Sequence, residues 1–236
     1  MRSKGSRMAE TSAPSELGLN LIIYPSNLVG ASRVGKIAKS LQASGLFSET
    51  QAVGMADGDR LPREEQLAPG VRAVRVRLDD QQSRAMRVLE QFRWPGRVIR
   101  EYRDKNVTVL SAQRALVLPL AYRLSRKTGA VFAYNAHELE TEVLGFTGLK
   151  QKIFKIIERR YIKHVDVISV VNESIAEWYS REYPGLPEPV VLTNTPIDDG
   201  DTVDLRAEFG IPDDELLYIH IGYLSEGRNI PLMLRE

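Results

Sequence analysis

The chain has 236 residues, 43% hydrophobic and 27% charged, with a formal net charge of +1 and no cysteine. These figures describe a soluble globular protein of one to one and a half domains. They exclude disulfides, thiolate metal sites and a cysteine nucleophile. His137, His164 and His220 are the only histidines, and none stands in an H-E-x-x-H spacing, so no dedicated transition-metal site is expected.

The opening MRSKGSRMAETSAPSE is polar and lacks the apolar core of a secretory signal. Residues 1–17 therefore read as a disordered tail. No stretch reaches the roughly 18 apolar residues of a membrane span, and a cytoplasmic location is expected. The first strand is expected over 19–24, LNLIIY, and GASRVGKI follows at 30–37. That stretch is one letter short of the P-loop G-x-x-x-x-G-K-[ST]. Position 37 is Ile, however, which has no oxygen for Mg²⁺, and Pro25 to Val29 separate the glycines from the strand. Val34, Ile37, Ala38 and Leu41 follow helical spacing. A helix over 32–44, capped by Ser32 and ended by Gly45, would place Gly35 and Lys36 in its first turns. The NTPase reading fails, although the helix N-terminus could still face an anion.

Further strands are expected at 51–54, 71–78, 107–111, 130–134, 166–171 and 189–193. Helices are expected at 32–44, 83–103, 113–127, 149–163 and 174–182. Trp94-Pro95-Gly96 should interrupt the second of these, and Ser174 to Glu177 has capping-box form. Strands alternating with helices predict an α/β fold, a Rossmann-like parallel sheet with helices on both faces. Ligands of such sheets sit beyond the carboxyl ends of the strands. The loops 25–31, 135–147, 172–173 and 194–197 thus become candidates.

Charge is unevenly spread. Residues 84–127 carry eleven Lys/Arg against three Asp/Glu, while 198–236 carry three against ten. A basic middle suggests an anionic partner, with a solvated helix face as the alternative. After an acidic linker at 198–204, a short helix near 203–209 and a strand from Leu216 to Tyr223 are expected. A further helix should start at Asn229. That order reads as the start of a second domain, truncated at 236.

Five stretches then carry a family resemblance: Asn27 to Leu41, YNAHELETE at 134–142, DVISVVNES at 166–174, Val191 to Pro196, and LRAEFGIPDDELLYIHIGYLSEGRNI at 205–230. In this order they resemble the N-terminal half of GT-B-fold glycosyltransferases of the family 4-like group, plus the first strand of the C-terminal half. The resemblance implies an acceptor-side domain over 18–197 and a truncated donor-binding domain over 205–236. It implies transfer of a sugar from a nucleotide-sugar to an acceptor hydroxyl, with retention and without a metal or other cofactor.

By the same resemblance, His137 matches the histidine beside the donor sugar, and Glu138 positions the loop or an acceptor hydroxyl. Gly30 and Arg33 would meet donor phosphates, as would Gly222 and Arg228 in the donor-domain loop. Each also has an ordinary alternative: a structural histidine, a helix cap, a turn glycine, a surface arginine. Implied partners are the nucleotide-sugar, a glycan or lipid-linked acceptor, an anionic membrane met peripherally at its inner face, and a missing donor-domain chain. No nucleic-acid partner is expected.

The family's paired donor-domain glutamates, E-x₇-E, are absent, so the chain is expected to be inactive or nearly so alone. The alternative function is a non-catalytic half-domain that binds acceptors or partners, with LLYIHIGYL as an exposed edge. A sugar-nucleotide epimerase would need carboxylates that cannot be placed. A Rossmann dehydrogenase would need a G-x-G-x-x-G after a strand, and none is present.

Overall fold

The computed structural model describes residues 17–56, 60–76, 84–142, 147–195 and 202–221, with the backbone alone for 84–91. The expectations for the tail, for residues 198–201 of the linker, for Gly222, Arg228 and the helix start at Asn229 lie outside these residues. The chain divides into two compact units, Met1–Asn194 and Thr195–Glu236.

The first unit is built on one eight-stranded sheet. Its strands are β1 (Leu17–Ile23), β2 (Phe47–Met55), β3 (Glu64–Ala68), β4 (Val71–Val76), β5 (Val107–Ala112), β6 (Val131–Ala136), β7 (Val167–Val170) and β8 (Val190–Val191). Their order is β3-β4-β2-β1-β5-β6-β7-β8. All pairs are parallel except β3 with β4. In register, Ile23 lies beside Val53 and Ala112, and Ala112 beside Tyr134. The carboxyl ends of the central strands therefore reach one edge together. Chain order reverses between β1 and β5, which makes their shared edge the topological switch point.

The helices are α1 (Ser32–Ala43), α2 (Arg84–Tyr102), α3 (Leu118–Thr128), α4 (Gly148–Tyr161) and α5 (Glu173–Glu182). Successive side chains of a strand point to opposite faces, and the core divides accordingly. Leu19, Leu21 and Ile23 join α2 and α3 in the larger cluster, while Ile22 joins Val34 and Ala38 of α1 in the smaller. Both faces of β1 are thus covered, which accounts for its largely apolar sequence, LGLNLII, interrupted by the buried Asn20.

Several local expectations are corrected. The helix α2 continues through Pro95 without a break. Proline within a helix costs about 3 kcal/mol. Trp94, Val98 and Tyr102 lie one below another on the buried face, each at most 1% exposed, and burial of each is worth roughly 1.5–3 kcal/mol. Packing outweighs the lost hydrogen bond. Helix α1 begins at Ser32, with Ala31 at the cap position and no side-chain cap. Helix α5 is capped by Asn172, whose Oδ1 accepts from Ile175 N at 3.0 Å, so Ser174 lies inside the helix.

The expected helix over 113–127 opens instead with extended Arg114 and a 3-10 turn at Ala115–Val117 before α3. The strand β3, EEQLA, has no counterpart among the expected strands because it is polar and borders the sheet. In the second unit α6 spans Leu205–Phe209, with Asp204 accepting from Arg206 N and Ala207 N. The described part of the expected strand, 216–221, forms no ladder with any described strand, because a strand needs a neighbour to bond to.

One polar cluster is sealed inside the first unit. Glu158 of α4 is fully buried. Its Oε1 accepts from Tyr134 at 3.1 Å and Tyr179 at 2.8 Å, and its Oε2 accepts from Tyr183 at 3.1 Å. Burial nonetheless holds the Glu158 carboxyl above the usual carboxylate range, against the pull of the three donors.

Candidate active site

The loop from β1 to α1 is held tightly at the switch point. Gly54 of β2 lies directly beneath it: an added Cβ would come within 2.4 Å of Ser26 O. Met55 N donates to that same oxygen at 2.7 Å. From β4, the buried Arg75 donates through Nε to Asn27 O at 2.8 Å, and through Nη2 to Glu65 Oε2 at 2.6 Å. So pinned, the loop places Leu28 at φ 67° and Gly30 at φ 67°. A leucine in the left-handed region is costly, and such strain gathers at functional loops. The loop ends at the uncapped N-terminus of α1, where Arg33 stands in the first turn.

The loop beyond β6 brings His137 and Glu138 to the same edge, and Arg114 arrives there from the end of β5. His137 is half-buried, and its buried Nδ1 has no hydrogen-bond partner among the described residues. Burial, with Arg33 and Arg114 adding to it, pushes the imidazole down to about 4. It is therefore neutral near pH 7. Burial also lowers the Arg33 guanidinium, with Glu138 opposing the shift. Arg114 pairs through Nε with Glu140, whose other oxygen accepts from Ala115 N at 2.8 Å.

Gly30, Arg33, His137 and Glu138 thus share one edge of the sheet, and Arg33 acts electrostatically on His137 and is acted on by Glu138. Gly222 and Arg228 lie outside the described residues. The Arg114–Glu140 pair is not legible in the sequence, although Glu140 stands in the YNAHELETE stretch. Only the β5–β6 neighbourhood joins the two. Lys36, the false P-loop lysine, is helical and donates to Asn194 Oδ1 at 2.9 Å. That bond ties α1 to the end of the unit.

Beside this cluster a cleft of about 1380 Å³ opens between α2, the segment 114–123 and α4. Pro25, Met55 and Arg114 bring to it the ends of β1, β2 and β5. The basic segment 84–127 supplies Arg93, Arg97, Arg100, Arg114 and Arg123 to its wall, so its excess charge has a location. Among the described residues no three His, Asp or Glu side chains are grouped as metal ligands. No described helix is long and apolar enough to cross a membrane.

Residues 30–195 match the glycosyl transferase 4-like domain family. No curated protein sequence matches the chain. Among solved structures, the chain is similar to a sucrose-phosphate synthase from Thermosynechococcus elongatus (TM-score 0.62, 12% identity, 85% of this chain and 54% of that one). It is also similar to Phytolacca americana UGT2 complexed with UDP-2fluoro-glucose and pterostilbene (TM-score 0.52, 11% identity, 79% and 56%). Arabidopsis thaliana UGT89C1 complexed with UDP-L-rhamnose is a third (TM-score 0.52, 8% identity, 84% and 54%). At such identities the likeness is one of fold, and the chain spans about half the length of each of these GT-B proteins. The family match covers well over half of the sequence, and the chain belongs to the glycosyl transferase 4-like family.

Proposed function

We propose that the protein transfers a sugar from a nucleotide-sugar donor to an acceptor hydroxyl, with the cleft of the Met1–Asn194 unit receiving the acceptor. Family membership supports glycosyl transfer, and the two UDP-sugar complexes among the similar folds support the donor class. The observation that carries the reading is His137: a half-buried imidazole at the switch-point edge, with an unpartnered nitrogen among the described residues and held neutral by burial and by the charges of Arg33 and Arg114.

Each group suits a part of this chemistry. Breaking the glycosidic bond to the nucleotide builds positive charge on the sugar and negative charge on the departing diphosphate. A neutral His137 can bond the sugar without repelling that positive charge. Arg33, with the open N–H groups of α1 beyond Gly30, suits the diphosphate. Glu138 orients Arg33 or the acceptor hydroxyl. The resemblance adds Gly222 and Arg228 as further diphosphate contacts, retention of configuration, no metal, and contact with an anionic membrane surface.

Release of nucleoside diphosphate by the native gene product, supplied with a panel of nucleotide-sugars, tests the proposal. His137→Ala should lower kcat by about 10²–10³-fold, the size expected for one preorganised contact to the transition state. An unchanged kcat in a variant with native circular dichroism would overturn the role of His137.

A further inference from the structure

Among the described residues, the wall of the cleft carries six cations, from Arg93, Arg97, Arg100, Arg114, Arg123 and Lys150, and no Asp or Glu. A solvated surface usually mixes the two signs. Here one sign converges on a concavity, which focuses its field. Arg114 already has Glu140, and Arg93, Arg97 and Lys150 are also engaged within the chain. Arg100 of α2 and Arg123 of α3 are exposed and make no hydrogen bond or ion pair among the described residues. The neighbouring wall is apolar. Phe92 is 78% exposed and Leu116 46%, and Phe154 and Ile157 of α4 continue the surface. The volume also exceeds the roughly 300–1,000 Å³ of ordinary small-molecule sites. A single sugar would leave most of it empty.

We propose that this cleft takes an amphiphilic phosphate ester as the acceptor, its phosphate against Arg100 and Arg123 and its apolar chain along Phe92, Leu116 and Phe154. Guanidinium suits phosphate because its fork of donors matches two oxygens at once. The apolar wall is what separates this ligand from a soluble sugar phosphate. The inference rests on the glycosyl-transfer reading, in which the same cleft receives the acceptor.

Isothermal titration of the full chain with dodecyl phosphate, below its critical micelle concentration, tests it without requiring turnover. Dodecyl phosphate should bind at least about tenfold more tightly than neutral dodecyl maltoside or soluble glucose 6-phosphate. Arg100→Gln and Arg123→Gln should each weaken it about tenfold or more, the loss expected for one charge-assisted contact. Arg126→Gln, on α3 but outside the cleft, should leave it within about twofold. Equal binding of the maltoside removes the phosphate from the proposal, and equal binding of glucose 6-phosphate removes the chain. A loss in Arg126→Gln as large as in the cleft variants reduces the effect to general surface charge, and the proposal falls. Turnover without dodecyl phosphate binding sinks this inference alone. Binding without turnover of any nucleotide-sugar sinks the glycosyl-transfer reading alone.

Discussion

His137 and Glu158 stand on the same sheet edge and the helix beside it, and their surroundings are opposites. Glu158 is closed off by three tyrosine hydroxyls, each spent on one of its oxygens. His137 is half-buried with the charges of Arg33 and Arg114 acting on it, and its inner nitrogen is left unpartnered among the described residues. Burial shifts both groups toward their neutral forms: the carboxyl upward, the imidazole downward. What differs is satisfaction. A polar group that holds elements together has its partners within the fold, here joining α4 to β6 and α5. His137 instead keeps bonding capacity that the described fold does not use, which is why the proposed function assigns it to a ligand.

The sharpest way to break this comparison is to remove each side chain in turn and measure stability. Glu158→Ala leaves the buried Tyr134 and Tyr179 hydroxyls and the part-buried Tyr183 hydroxyl without this acceptor and opens a cavity. It should cost about 3 kcal/mol or more in urea unfolding, since each stranded group costs about 1–3 kcal/mol. His137→Ala should cost less than about 1 kcal/mol, because no hydrogen bond from its inner nitrogen is lost. Comparable losses in the two variants would erase the distinction.

A gentler test uses pH, where the two groups predict opposite signs. The folded Glu158 carboxyl titrates above its unfolded value of 4.5. The folded state therefore holds the proton more strongly, and stability falls as pH rises above 4.5. Glu158→Gln removes this dependence. Its Tm relative to the unaltered protein should climb as pH rises above 4.5, and a flat difference would place the carboxyl in the ordinary range.

The smallest expected effect belongs to His137. Its folded value of about 4 lies below the unfolded 6.5, so the unfolded chain binds the proton first. Stability should decline as pH falls from 6.5 toward 4, and the decline should be shallower in His137→Gln. Partial exposure makes this a shift of a few degrees in Tm at most. A steeper decline in the variant would mean the imidazole is charged in the fold.

The local pattern of apolar residues is enough to identify most of the sheet. LNLIIY, VTVLS and DVISVV are short stretches dominated by β-branched and aliphatic residues, and such stretches suit a strand covered on both faces whatever surrounds it. The same periodicity places Gly35 and Lys36 in a helix and so disposes of the P-loop. Simple counting marks the excess of cations at 84–127. Those conclusions follow from properties carried within short stretches of chain, so the sequence by itself determined them.

Contacts between distant segments decided the rest. Pro95 reads as a break until Trp94, Val98 and Tyr102 find the core. EEQLA reads as a loop until β4 offers it a ladder, and 216–221 reads as a strand but has no described neighbour to bond. Ser32 and Ser174 look like caps, yet Ser32 is the first helical residue after an uncapped Ala31, and Asn172 takes the cap of α5. The site is the clearest case. Arg33, Arg114 and His137 are scattered over more than a hundred positions, and only the strand order β1-β5-β6 brings the segments that carry them to one edge of the sheet. An electrostatic field depends on distance in space, so the charge state of His137 was decided by the tertiary structure.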